Sequence, residues 1–194
     1  MEHKTDQDYI NLTLSGDTHA FSFLVEKHKD FVFHLTWKLL KNREEAEEVA
    51  QDVFVKAYRY LPKFKGASKF STWLYKIAYN TSMDAIKKKS NALRSVAIDE
   101  ITVNQISTVE TALDNIEKEE RAQVISECMN ELQEEERGLL FFFYFKELSL
   151  KEIVEITSMR EANVKVKLHR ARKKLLHVVK QRVEPELISH YGRT

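Results

Sequence analysis

LSLKEIVEITSMREANVKVKLHRARKKL, residues 148–175, is the most informative local pattern in the chain. Ser149 and Glu152 have the spacing of a capping box, which predicts a helix beginning there. Ile153, Val154 and Ile156 give that helix an apolar side. Ser158, Met159 and Arg160 read as a turn. A second helical pattern follows, with Val164, Leu168, Ala171 and Leu175 on one face. Its other face carries Lys165, Lys167, His169, Arg170, Arg172, Lys173 and Lys174. Two helices joined by a short turn, the second basic, are what a helix-turn-helix presents to a DNA major groove. A solvated cationic face on an ordinary helix hairpin would show the same residues.

Around this stretch, composition points to an all-α chain. Only 4 Gly and 2 Pro occur in 194 residues, too few for a fold rich in tight turns. With 43% hydrophobic and 31% charged residues the chain can bury a core and keep a highly charged surface. The formal net charge of +1 hides segregation. Residues 160–182 hold nine Lys/Arg and one Glu, and residues 63–94 hold eight Lys/Arg and one Asp. Between them, residues 107–137 hold ten acids and three bases. Local sign governs attraction to DNA more than the total does.

The single Cys128 cannot form an intrachain disulfide and reads as a small hydrophobe in a helix. The N-terminus is polar without a signal-peptide pattern, and no apolar run approaches membrane-spanning length. A cytoplasmic protein without membrane insertion is expected. No Gly-rich phosphate loop, paired metal-ligand motif or nucleophile in a recognisable setting occurs, so no enzyme, metal or cofactor is expected. His19, His28 and His34 lack partners at ligand spacing and read as packed or exposed rings.

Residues 6–15 form a short amphipathic pattern with Ile10 and Leu14 inward, closed by Gly16. Asp17 then caps a longer helix carrying Phe21, Leu24, Val25, His28, Val32, Leu35 and Leu39. Asn42 and Glu45 repeat the capping-box spacing. Their helix buries Ala46, Val49, Ala50, Val53, Ala57 and Tyr58 and stops before Pro62. Glu44, Glu45, Glu47 and Glu48 suit its positive N-terminus. A basic loop over 63–69 precedes a helix from Phe70 to about Lys89, with Leu74, Ile77, Ala78 and Ile86 inward. Lysines beside aromatics suit single-stranded nucleic acid, where rings stack on bases and cations meet phosphates. Trp73 and Tyr75 read as core; Phe64, Ser68, Lys69 and Asn80 read as ligand-facing.

Helical rhythm fades over 89–108, which predicts a linker. A second helical pattern carries Leu113, Ile116, Val124, Ile125, Cys128 and Leu132, followed by the apolar run 139–145. That run reads as a helix, because no other strand exists to pair with it. The expected organisation is two small helical domains, 1–89 and 109–182, joined by a flexible linker over 90–108, with a frayed tail over 183–194.

Three segments resemble the extracytoplasmic-function (ECF) class of bacterial RNA polymerase sigma factors. They are AEEVAQDVFVKA (46–57), FKGASKFSTWLYKIAYN (64–80), and LSLKEI (148–153) continuing to VKVKLHRARKKL (164–175). The resemblance implies that the first segment docks on the clamp of the polymerase large subunit through Glu48, Gln51, Asp52 and Lys56. It implies that the second reads the minus-ten element, Phe64, Ser68, Lys69, Ile77 and Asn80 framing a pocket for a flipped base. It implies that the third reads the minus-thirty-five element. There Lys165, Val166, His169 and Arg170 face the groove, while Lys167, Arg172 and Lys173 hold phosphates. Core polymerase and promoter DNA become the expected partners, and an anti-sigma factor a further candidate. The linker resembles a segment threaded towards the polymerase active-site channel. Such a protein catalyses nothing; it lends promoter specificity and assists melting. Two other functions fit the residues less fully: a helix-turn-helix regulator acting without polymerase, and a helical module binding an acidic protein.

The chain departs from the family pattern in the turn. Ser158 stands where Gly is frequent, Arg160 where a capping Ser is frequent, Ala162 near a position often held by Gly or another small residue, and Val166 where Ser is frequent. Val166 has no hydroxyl donor and suits apolar contact, for instance with a thymine methyl.

Overall fold

Thr5 opens the first helix, α1 (Asp6–Leu14), by accepting from the Asp8 amide at 3.3 Å, while the Asp8 carboxylate accepts from the Thr5 amide at 2.7 Å. The computed structural model describes residues 4–92 and 124–191, with side chains described over 4–89 and 124–182. After α1 the chain turns through Gly16 at φ +108°. Asp17 Oδ1 then accepts from the amides of His19 and Ala20, leading into α2 (Ala20–Leu40). Asn42 caps α3 (Arg43–Tyr60) by accepting from the Glu45 amide at 2.9 Å. The reciprocal half of that box is not made, since the Glu45 carboxylate instead pairs with Lys89 at 2.7 Å. Pro62 lies in a 3₁₀ turn (Leu61–Lys63), and α4 (Phe70–Ala92) follows. Thr36 ties α2 to α3 by donating to the Ala46 carbonyl at 3.0 Å inside the core.

In the second half a helical turn over 124–128 runs into a 3₁₀ turn (Met129–Glu131) and then α5 (Glu134–Leu140). The apolar run is helical as expected, but its end winds into a π-helical turn (Phe141–Phe145). Five consecutive aromatic residues cannot all face one core. The wider turn buries Phe141 and Phe142 and leaves Tyr144 and Phe145 exposed. Next come α6 (Leu150–Thr157) and α7 (Glu161–Tyr191). The last helix therefore runs past residue 182, where the sequence suggested a frayed tail. All regular elements among the described residues are helical. Leu113, Ile116 and the linker over 93–108 lie outside the described residues.

Two expected core residues are exposed instead. Leu14 lies on the outer face of α1, and Tyr58 is exposed, its ring meeting Phe21 edge-on at 5.1 Å. Both sit at helical spacing from true core residues, and spacing alone cannot fix the edge of an apolar stripe. The core itself is continuous from Ile10 to Val179. Phe31 of α2 stacks on Tyr75 of α4 at 3.5 Å and approaches Phe141 at 5.7 Å. Tyr79 meets Phe142 at 5.9 Å. The two helical regions thus share an interface. Phe31, Tyr79, Phe141 and Phe142 are buried there, and burial of an aromatic ring is worth about 1.5–3 kcal/mol when it is fully removed from water.

Candidate nucleic-acid and polymerase interfaces

The helix pair α6–α7 is built by local signals. Ser149 Oγ accepts from the Glu152 amide, and the Glu152 carboxylate accepts from the Ser149 amide at 3.0 Å and hydroxyl at 2.8 Å. Those bonds from Ser149, then one from Lys69, hold the Glu152 carboxyl below its ordinary range. Ser158 ends α6 in the left-handed region, φ 59° and ψ 17°, its amide donating to the Val154 carbonyl at 2.8 Å. Ile153 and Ile156 of α6 pack with Val164, Leu168, Ala171 and Leu175 of α7, all buried. Burial of that stripe turns the opposite face outward. Lys165, Val166, His169 and Arg170 are exposed there, Val166 by 50%. Lys173 is half-buried at its edge.

Three other cations of α7, Lys167, Arg172 and Lys174, are engaged within the protein. Lys167 forms an ion pair with Glu135, and Lys174 pairs with Glu136 at 2.7 Å. The Arg172 guanidinium lies 4.8 Å from the Phe143 ring centre and 5.3 Å from that of Tyr144. Its Nε is buried with no hydrogen-bond partner among the described residues. Lys165 pairs with Glu161 one turn earlier at 2.7 Å, both side chains well exposed.

The loop between α3 and α4 is shaped by Gly66 at φ +68°, a conformation costly for other residues. Phe64 is half-buried against Phe70 and Trp73, with ring centres 5.9 and 5.2 Å away. Phe64, Ser68 and Lys69 line one recess of about 460 Å³, whose other wall is the chain leading into α1, including Lys4 and Asp6. Ile77 is half-buried and Asn80 exposed further along α4, and neither lines that recess. Trp73 and Tyr75 are partly buried against the core, and burial followed by the nearby Asp6 pushes the Tyr75 hydroxyl up to about 12. Lys69 is not idle: its ammonium pairs with Glu152 of α6 at 3.0 Å.

On α3, Glu48, Gln51 and Asp52 are exposed on one side. Lys56 is half-buried and donates to Thr81 of α4 at 3.2 Å, so it faces the neighbouring helix. Val55 is exposed on the same stripe as Glu48, Gln51 and Asp52 and escaped the sequence reading. Its spacing from Gln51 and Asp52 was the available signal. Among the histidines, His28 is buried with its Nε2 3.1 Å from Asp6, and burial lowers its pKa below 6.5 against the opposing pull of Asp6. No cluster of three potential metal-ligating residues occurs among the described residues. No helix among them is long and apolar enough to cross a membrane.

Two family models match the halves separately. Sigma-70 region 2 covers residues 24–92, and Sigma-70 region 4 covers residues 122–175. Across both, the chain is 33% identical over 172 residues to the ECF RNA polymerase sigma factor SigW of Bacillus subtilis, covering 86% of this chain and 92% of that protein. The chain belongs to the ECF RNA polymerase sigma factors. As such it directs RNA polymerase to promoters in transcription initiation and is not an enzyme. The loop and the α3 face lie in region 2 of the sigma factor, and the α6–α7 pair in region 4.

The fold agrees with solved structures at lower identity. The structure of CnrH in complex with the cytosolic domain of CnrY superposes with TM-score 0.66 at 20% identity, over 92% of this chain and 99% of that one. The sigma factor RpoE in complex with the anti-sigma factor NepR from Bartonella quintana superposes with TM-score 0.62 at 18% identity, over 82% and 96% of the respective chains.

Proposed function

We propose that this sigma factor reads the minus-thirty-five element with the outer face of α7. Lys165, Val166, His169 and Arg170 meet base edges, and Lys173 meets a phosphate. The observation that carries this reading is the exposure of those four side chains on one face of a helix whose opposite face is core. Lys167 and Arg172 contribute to the DNA contact only by leaving Glu135 and the Phe143–Tyr144 rings, so their first role is to hold α7 on its domain. A binding selection over randomised upstream DNA tests the assignment. Substituting His169 or Arg170 changes the preferred bases, while an unchanged preference in both variants contradicts it.

The minus-ten reader is the loop over 63–69 with the start of α4. Phe64 offers a ring for stacking, Ser68 a hydroxyl and Lys69 a cation, and Ile77 and Asn80 extend the contact along α4. A base flipped from the non-template strand loses stacking worth a few kcal/mol, and contacts with such groups offset it and assist melting. Glu48, Gln51 and Asp52 of α3, with Val55 one turn further along, form the polymerase-docking face; Lys56 supports it from the α4 side. The functional division is residues 1–89 for polymerase and minus-ten binding, a 90–108 linker, and 109–182 for minus-thirty-five binding. The protein works in the cytoplasm. An anti-sigma factor is a partner by analogy with the RpoE–NepR complex of the same fold.

A further inference from the structure

The loop over 63–69 faces a second wall, built by the chain entering α1 and by α2. Asp6 and Lys27 line the same recess of about 460 Å³ as Phe64, Ser68 and Lys69. That volume is within the range of small-molecule sites. Asp6 is the first residue of α1, set there by the Thr5 cap. Its side chain is 22% exposed and is braced on both oxygens. Lys27 donates to Oδ1 at 2.6 Å, and His28 Nε2 lies 3.1 Å from Oδ2. His28 is itself buried, its ring edge-on to Phe70 at 5.5 Å and to Tyr75 at 6.3 Å. The carboxylate is therefore held in one place from the core side.

An acid in a first helical turn suits the helix dipole, and an ion pair with Lys27 suits a charged surface. Neither calls for a carboxylate that lines a recess together with an aromatic ring, a hydroxyl and a cation. A carboxylate offers about four acceptor positions, and the Lys27 and His28 bonds occupy two of them. The others are left for a group inside the recess. Asp6 can only accept, whereas Ser68 and Lys69 in the facing wall can donate. Cytosine and adenine match that pairing. On the edge used for Watson–Crick pairing each presents an exocyclic amine beside a ring nitrogen that accepts. Thymine presents carbonyl oxygens there, which a carboxylate repels, and the corresponding ring nitrogen of guanine carries a proton.

We infer that Asp6 is a specificity residue of the minus-ten reader: its carboxylate accepts from the exocyclic amine of the flipped base, so the recess takes cytosine or adenine and rejects thymine. This rests on the reading of the 63–69 loop as the minus-ten reader. Phe64 stacks on the face of the base while Asp6 reads its edge, and Ser68 or Lys69 donates to the ring nitrogen. The chain entering α1 thereby becomes part of promoter recognition. Lys27 and His28 act through Asp6 as positioning residues, holding its two oxygens against the pull of solvent.

The test uses the full chain assembled with core polymerase and a promoter mapped for it, with the minus-ten element left unpaired. Each non-template position of that element is replaced in turn by cytosine, adenine, thymine, 2-pyrimidinone or purine. The last two are cytosine and adenine with hydrogen in place of the amine. At one position the unsubstituted chain loses ~10-fold or more in affinity when the amine is removed or thymine stands there. Asp6→Asn supplies an amide that donates to thymine O4. It gains affinity for the thymine template, and its amine preference shrinks to within about threefold. A gain on one template cannot come from misfolding. Indifference of the unsubstituted chain to the amine at every position overturns the inference. So does an Asp6→Asn chain that keeps the original ranking of bases or binds none of the templates. Failure of the underlying reading appears separately, as a ranking that survives Phe64→Ala. A ranking erased by Phe64→Ala but kept by Asp6→Asn removes the role of Asp6 alone.

Discussion

Arg172 lies over Phe143, its guanidinium carbon 4.8 Å from the ring centre, with Tyr144 alongside at 5.3 Å. A cation on a DNA-reading helix is thereby part of the domain's packing. Arg172→Ala should lower stability by about 1 kcal/mol, the scale of a partly desolvated cation–π contact. Lys173→Ala should leave stability unchanged and reduce the salt dependence of promoter binding by about one phosphate contact. Denaturant titrations and binding at several salt concentrations measure both. Equal effects of the two variants on stability would contradict the division.

Ser158 occupies a backbone conformation that favours glycine, φ 59°. Ser158→Gly should stabilise the second region by about 0.5–1 kcal/mol, because the native angles cost glycine nothing. An unchanged or lower denaturation midpoint would show that the serine side chain contributes more than the angle costs.

Val166 is half-exposed on the face of α7 proposed to read bases, and its side chain has no hydrogen-bonding group. Val166→Ser should shift the upstream base preference by about 1 kcal/mol at one position, away from a thymine methyl. Selection from a randomised minus-thirty-five element measures it, and an identical profile for both proteins would refute the contact.

His28 is buried beside Asp6, with Phe70 and Tyr75 around it and Lys27 nearby, and its pKa is lowered below 6.5. The unfolded chain therefore binds a proton that the folded chain resists. The stability from burying neutral His28 is complete above pH 6.5 and is lost as pH falls through the lower folded value. The thermal midpoint should fall between about pH 8 and pH 5.5, and His28→Gln should flatten that slope. A slope unaffected by the substitution would assign the effect to other groups.

Much of the architecture is written in short-range signals. The Asn42 and Ser149 caps, the Pro62 stop and the α7 stripe all act within a few residues, so reading the chain locally finds them. What local reading misses is long-range pairing. Glu135 reaches Lys167 and Glu152 reaches Lys69 across the fold, and Arg137 meets Leu39 from 98 positions away. The sequence marked Lys167, Arg172 and Lys69 as cations but carried no sign of which partners would hold them. The turn at Phe141–Phe145 was likewise hidden, because five aromatics in a row name a core without saying which of them enter it.

Initiation at defined sites is the most direct test of the account. The purified chain is added to sigma-free polymerase, transcription from genomic DNA is mapped, and the same is done with Phe64→Ala and Arg170→Ala. The account predicts start sites sharing two upstream elements, with Phe64→Ala losing dependence on the nearer and Arg170→Ala altering the bases preferred in the farther. Active polymerase without specific starts, or variants that keep both element preferences intact, would contradict it.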